Sequence, residues 1–248
     1  MPLIAREGSP QDDFSCTARR EVSLMNSPAK FIDHTLLRAD ATAADIALLC
    51  EEAVEYGFAS VCISPCHVAQ ASRLLYGSEV ALCTVIGFPL GIQTTETKVF
   101  ETRQAIEQGA DEIDMVIPLG AARAADFNAV LEDIRRVVAG AETAVVKVII
   151  ECCLFEDDVK RRLAEIVAVS GAAYIKTSTG FAASGATVDD VRLLSAVASA
   201  RIKVKAAGGI RDWPTCQVML AAGASRIGTS AGVVIMRQWQ ESAGLLCR

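Results

Sequence analysis

From Phe31 onward the chain alternates short apolar runs with longer segments in which apolar residues recur every three or four positions, the pattern of strands and amphipathic helices taken in turn. The runs predict strands over 31–36, 58–63, 80–86, 111–117, 144–150, 172–176, 202–205 and 224–228. Helices are expected near 42–56, 66–75, 95–108, 126–139, 156–170, 187–199, 212–222 and 232–241. The first helix opens on Thr42 as N-cap, with Asp45 three residues on in the place of the usual glutamate of a capping box. Gly57-Phe, Gly109-Ala, Gly171-Ala and Gly223-Ala each end a helix and begin a strand, at separations of 52, 62 and 52 residues, or two βα units apiece. Four such marks imply eight strands in an α/β fold. Regular spacing without a reversal of strand order favours a closed (β/α)8, or TIM, barrel, with an open doubly wound sheet as the structural alternative.

Residues 1–30 break the pattern. They are polar, carry Pro2, Pro10 and Pro28, and read as a flexible N-terminal arm with a short helix near 12–20, ahead of a single barrel domain over 31–248. Composition agrees: 248 residues, 52% hydrophobic and 22% charged, suffice for one large core. The formal net charge of −6 argues against a nucleic-acid partner, so any phosphate is held locally. Nine cysteines without a C-x-x-C pair, mostly inside apolar runs, read as reduced thiols of the cytoplasm. Glu7, Asp12 and Asp13 and the lack of a long apolar segment exclude a secretory signal, and no run approaches the length of a bilayer span. The expectation is a soluble protein without a membrane partner.

Candidate chemistry centres on Gly171-Ala-Ala-Tyr-Ile-Lys-Thr-Ser-Thr-Gly180, where Lys176 ends an apolar run and small hydroxyl residues follow at once. Such a lysine either begins a loop with its ammonium in water or points into a pocket, where desolvation or a second cation frees its amine to attack a carbonyl. Five residues after each marking glycine stand Cys62, Asp114, Lys176 and Gly228. Alternate barrel strands share interior layers, so these four are expected at one height, which brings Asp114 to Lys176. Lys205 ends the adjacent strand, and two lysines at neighbouring strand ends make each other easier to deprotonate; two solvated rim lysines are the bland alternative. Lys147, in an apolar strand, reads as a buried ion pair with Asp114 or Glu151 sooner than as a nucleophile. Lys203 lies one layer below Lys205. Asp33 and Thr35 add an acid and a hydroxyl to the interior, while alternation turns His34 outward to a packed, hydrogen-bonded position. Cys62, Cys66 and His67 straddle a strand end and a helix start with one histidine among them, which is a poor zinc set.

Three glycine-rich turns follow consecutive strands: Gly180, Gly208-Gly209 and Gly228-Thr-Ser-Ala-Gly232. Barrels bind phosphate at this edge through backbone N–H groups and a helix N-terminus, so Gly180, Gly208, Gly209 and Ser230 are candidate phosphate contacts; three tight turns without a ligand are the alternative. Thr177, Asp33, Thr35, Cys62 and Lys147 complete the candidate substrate-binding set.

These residues resemble the deoxyribose-phosphate aldolases, from Phe31 to about Arg237. The motifs that carry the likeness are Ile32-Asp-His-Thr-Leu-Leu37, Val85-Ile-Gly-Phe-Pro-Leu-Gly91 with Thr94-Thr-Glu96, Asp111-Glu-Ile-Asp-Met-Val116, Ile175-Lys-Thr-Ser-Thr-Gly-Phe181 with Gly185-Ala-Thr187, Val204-Lys-Ala-Ala-Gly-Gly-Ile-Arg211 and Arg226-Ile-Gly-Thr-Ser230. The resemblance implies a TIM barrel working through a lysine Schiff base on Lys176, with Lys205 perturbing that lysine and Asp114 taking part in proton transfer. It implies reversible cleavage of 2-deoxy-D-ribose 5-phosphate to acetaldehyde and D-glyceraldehyde 3-phosphate, without metal or organic cofactor, in a barrel that is often a homodimer. Three positions depart from the family pattern: Ala231 stands where a second serine is common, Gln93 where asparagine is usual, and Pro118 in a stretch often written Ile-Asn-Ile-Gly. Other readings kept open are a Schiff-base aldolase or transaldolase acting on a ketose phosphate, and a non-catalytic sugar-phosphate sensor.

Overall fold

The structure, a computed structural model, describes residues 27–198 and 201–244; the short helix expected near 12–20 lies outside them. Strands β1 (Ile32–Leu36), β2 (Ser60–Ile63), β3 (Ala81–Ile86) and β4 (Glu112–Val116) form the first half of the sheet. Strands β5 (Val145–Ile149), β6 (Tyr174–Lys176), β7 (Lys203–Ala207) and β8 (Arg226–Thr229) form the second. All pair in parallel in sequence order, and β8 returns to β1, with Asp33 opposite Gly228, so the sheet closes into a barrel and the open-sheet alternative is excluded. The helices are α1 (Ala43–Tyr56), α2 (Val68–Leu74), α3 (Thr95–Glu107), α4 (Leu119–Arg123) and α5 (Phe127–Gly140), then α6 (Asp157–Ala168), α7 (Val188–Ala198), α8 (Trp213–Ala221) and α9 (Gly232–Ser242). None of them is long and apolar enough to cross a membrane.

Local chemistry sets these boundaries. Thr42 accepts from the Asp45 N–H while Asp45 accepts from the Thr42 N–H, a complete capping box, and Gly57 ends α1 at φ 66°, where a side chain would be strained. Each strand begins one or two residues later than the hydropathy predicts. The short helix α4 was not expected; it follows Pro118 and hands over to Asp126, which caps α5 through the Ala129 N–H. At the other end, Pro28–Phe31 form a 3-10 turn in which Pro28 and Ala29 are buried, and the Ala29 carbonyl accepts from the Ala59 N–H. The packed chain therefore starts a few residues before Phe31.

Outward strand positions are mostly apolar. Val61, Ile63, Leu82, Ile113, Met115, Val146, Val148, Ile175, Val204 and Ile227 join the helices in one large hydrophobic cluster between sheet and helix ring. The inner face is different: Asp33, Ser60, Glu112, Asp114, Lys147, Lys176 and Lys205 are all buried there, and Cys62, Cys83 and Val85 form only a small apolar cluster. Barrel interiors are ordinarily filled by branched aliphatic side chains. Here the stabilising apolar core lies outside the barrel, leaving the inside to charge.

Candidate active site

Asp114, on β4, stands at the centre of the barrel with no exposed surface. Its Oδ2 accepts from Lys176 Nζ at 2.8 Å and from Lys205 Nζ at 2.6 Å; its Oδ1 accepts from Lys147 Nζ at 2.9 Å and from Cys83 Sγ at 3.2 Å. Lys176 and Lys205 are register partners on neighbouring strands, so both ammoniums converge on one carboxylate oxygen. Lys205 also pairs with Asp33 Oδ2 at 2.5 Å. Deeper still, Arg226 bridges Asp33 Oδ1 (2.6 Å) and Glu112 Oε1 (3.1 Å), and Glu112 Oε2 returns to Lys147 at 2.6 Å.

Burial alone pushes the Asp114 carboxyl up, but the ammoniums of Lys147, Lys176 and Lys205 more than reverse this and hold it well below the usual carboxylate range. Asp33 behaves alike: burial raises it, and Lys205, Lys147 and Arg226 lower it further than that. Burial would lower Lys147 and Lys205, yet the carboxylates around them, Asp114 first, keep both above the ordinary lysine value. Asp33, Asp114, Lys147 and Lys205 are therefore held ionised.

Above it opens a cavity of about 360 Å³ at the C-terminal ends of the strands, lined by Lys176, Thr35, Gly180, Gly208, Gly209 and Ser230 among others. Lys176 retains 3% of its surface exposed while Lys147 and Lys205 retain none, so it is the lysine of the three that meets the cavity. Gly208 and Gly209 take φ of 89° and 80°, and Ser230, on the same cavity, lies two residues ahead of the start of α9. Gly185 packs directly on Gly208: a Cβ there would lie 2.2 Å from the Gly208 carbonyl oxygen, and the Ala186 N–H is shared between the Ala207 and Gly208 carbonyls. The two loops at this side of the cavity are thus stapled backbone to backbone.

Three expected substrate contacts, Asp33, Cys62 and Lys147, do not reach the cavity; all are wholly buried beneath it. Lys147 is pulled down by Asp114 and Glu112, not by Glu151, whose carboxylate instead accepts from the Thr179 hydroxyl and N–H. Thr177 is also below the opening, its hydroxyl exchanging hydrogen bonds with the Ala207 backbone. His34 lies outward as expected, 2.7 Å from Glu52 and packed on Phe58, and Lys203 sits over the Tyr174 ring at the base. Cys62, Cys83 and Asp114 bring donor atoms within 4.8 Å of one another, but three ammoniums occupy that carboxylate.

Sequence reasoning missed Glu112 and Arg226, although they stand three residues after Gly109 and Gly223, the same offset that puts Ser60 and Tyr174 inside after Gly57 and Gly171. It also missed Arg38 and Arg211 at the cavity mouth and the loop contact at Gly185.

Comparison with known proteins bears on this site. The family model described as DeoC/LacD family aldolase matches residues 29–241. The deoxyribose-phosphate aldolase of Syntrophotalea carbinolica is 57% identical over 221 residues, covering 89% of this chain and 100% of that one. The solved structure described as "QR15, an Aldolase" superposes with a TM-score of 0.84 at 39% identity, over 88% of this chain and 98% of that one. The deoxyribose phosphate aldolase of Aeropyrum pernix, described as a unique tetramer, gives a TM-score of 0.83 at 34% identity, over 95% and 100%.

Proposed function

The chain belongs to the DeoC/LacD family of aldolases, and from that membership and the geometry of the barrel mouth we propose that it is a class I aldolase, reversibly cleaving 2-deoxy-D-ribose 5-phosphate to acetaldehyde and D-glyceraldehyde 3-phosphate. The observation that carries the reading is Lys176 Nζ at the cavity floor, sharing Asp114 Oδ2 with Lys205. Around that point three carboxylates (Asp33, Glu112, Asp114) face four cations (Lys147, Lys176, Lys205, Arg226). One cation is in surplus, and Lys176, alone of the three lysines in lining the cavity, can release its proton to solvent or substrate.

In the synthetic direction the neutral Lys176 amine adds to the acetaldehyde carbonyl, and loss of water from the carbinolamine leaves an iminium. Its electron pull makes the adjacent methyl protons acidic; removal of one gives an enamine, which attacks the aldehyde carbon of the phosphorylated acceptor. Hydrolysis of the resulting iminium returns the amine. Asp114, within hydrogen-bond distance of Lys176, is assigned the proton transfers, and Lys205 holds that carboxylate ionised between them. The acceptor's phosphate is assigned to the backbone N–H groups at Gly180, Gly208 and Gly209 and to Ser230; with alanine at 231, this edge relies more on the backbone than a pair of serines would.

Incubation with acetaldehyde and borohydride should fix a two-carbon adduct on Lys176, located by mass spectrometry of the peptides. An adduct on Lys147, or none, sinks the assignment. Lys176→Arg should abolish trapping and turnover, because the guanidinium stays protonated. Seven cysteines among the described residues are free thiols, which supports a reducing compartment, and we assign the enzyme to the cytoplasm. The tetramer described for the Aeropyrum pernix relative supports self-association here too, with a homodimer as the smallest unit that sedimentation should detect.

A further inference from the structure

The buried charges below Lys176 form two arms that end on the two oxygens of one carboxylate. One arm runs from Arg226 to Asp33, from Asp33 to Lys205, and from Lys205 to Asp114 Oδ2, the oxygen that Lys176 also uses. The other runs from Glu112 to Lys147 and from Lys147 to Asp114 Oδ1. Arg226 closes the loop at the base, where it bridges Asp33 and Glu112. We propose that Arg226 and Glu112, which touch neither the cavity nor Lys176, are positioning residues that set in opposite directions how readily Lys176 gives up its proton.

The sign follows from charge and from bonding alike. Removing Arg226 leaves three carboxylates to three cations, and it frees Asp33 to hold Lys205 more closely. Asp114 Oδ2 then turns toward Lys176 and favours its ammonium. Removing Glu112 leaves two carboxylates to four cations, and Lys147 takes a larger share of Asp114. Lys176 then keeps less of that carboxylate and sheds its proton more easily. The other titratable groups facing this interior are Cys62 on β2, Cys83 on β3, Tyr174 on β6 and Lys203 on β7, with Arg38 and Arg211 on the cavity that Lys176 lines. Tyr174 lies with Arg226 Cζ 5.5 Å and Lys203 Nζ 5.6 Å from its ring centre, so an aromatic ring stands between two cations at the base of the barrel. Arg226 keeps 13% of its side chain exposed and Glu112 7%, against 3% for Lys176, so water meets the network at both ends and partly screens a charge change at the base.

A unit charge roughly 10 Å away, at an effective dielectric of about 20, moves a proton equilibrium by about one pH unit. The inference rests on Lys176 as the imine-forming amine, and the test separates the two. The rate of acetaldehyde trapping by cyanoborohydride is followed against pH in the wild type, Arg226→Gln, Glu112→Gln, Arg226→Lys and the double Arg226→Gln/Glu112→Gln variant. The pH of half-maximal trapping should rise by about one unit in Arg226→Gln and fall by about one unit in Glu112→Gln. It should stay near the wild-type value in the charge-conserving Arg226→Lys and in the charge-balanced double variant. Shifts in the same direction, or no shift in a folded neutral variant, overturn the proposal; either single variant decides the sign by itself. Absence of a Lys176 adduct in the wild type overturns the aldolase reading instead.

Discussion

Gly185→Ala is the sharpest probe of the edge proposed to hold the phosphate, because it adds one methyl group at a point where two backbones touch. The new Cβ would lie 2.2 Å from the Gly208 carbonyl oxygen, 2.3 Å from its carbon and 2.7 Å from its Cα. Carbon and carbonyl oxygen come no closer than roughly 3.3 Å even in favourable C–H···O contacts, so the loops must part by about an ångström. No side chain can absorb that shift, since every atom met is backbone. The Ala186 N–H, shared between Ala207 and Gly208 at 3.0 and 3.1 Å, is pulled away with it. If Gly208 and Gly209 bind the phosphate as proposed, their N–H groups are then displaced from it. A hydrogen bond to a charged group contributes about 1.5–3 kcal/mol, so losing one lowers kcat/KM for the phosphorylated substrate roughly 10- to 200-fold. Lys176 and Asp114 lie beneath and keep their geometry. The assay is therefore paired: kcat/KM for 2-deoxyribose 5-phosphate beside that for unphosphorylated 2-deoxyribose, with borohydride trapping of acetaldehyde as a third reading. The phosphorylated substrate alone should suffer. Equal losses on both sugars, or no loss on either, refute the assignment of this edge to phosphate.

Two further outcomes concern stability. Lys98, fully buried, pairs with Asp133 at 2.8 Å and donates to the Val116 carbonyl at the end of β4; Lys98→Met should cost about 3–5 kcal/mol in urea unfolding, because it strands the Asp133 carboxylate. Lys98→Met/Asp133→Leu should recover at least half of that, and a loss below about 1 kcal/mol in the single variant would mean the pair is solvated. The second outcome is acid sensitivity. Asp33 and Asp114 are held below their unfolded value of 3.8, so the unfolded chain takes up protons first and their contribution is lost as pH falls below about 5. Lys147 and Lys205 are held above 10.5, so theirs persists until pH climbs past about 10. Melting temperature should plateau between these limits, with Asp33→Asn lowering the plateau and flattening its acid edge; an unchanged acid edge would contradict the ionised pairing.

Periodicity carried most of the architecture into the sequence. The four marking glycines fixed both the strand count and the interior height of Asp114 and Lys176, since both follow from a repeat that the fold shares. Applied at a second offset, the same repeat reaches Glu112 and Arg226, so that omission was one of reading and not of signal. Lys147 was another matter. Its burial was legible from the apolar strand around it, but whether it faced substrate or floor depended on Glu112, a partner on the neighbouring strand. Lys98 and Asp133 were illegible for a plainer reason: they sit on α3 and α5, and no local pattern says that a lysine in a polar helix is reached by an aspartate 35 residues away. Pro28 falls in the polar stretch that predicts an arm outside the fold, yet in the structure it begins the 3-10 turn, a place where its fixed φ and missing N–H suit the fold.

The separation of apolar and charged faces on the strands has a consequence for assembly. In β5 the outward Val146 and Val148 alternate with the inward Lys147, and in β4 Ile113 and Met115 alternate with Asp114. A slip of one residue in pairing exchanges the two faces. In an aliphatic barrel interior such a slip trades one hydrocarbon for another. Here it drives an ammonium or a carboxylate, without its partner, into the hydrocarbon shell beneath the helices, at a cost of several kcal/mol. The charges assigned to catalysis therefore also work as an error check on threading, rejecting misaligned barrels before any substrate arrives.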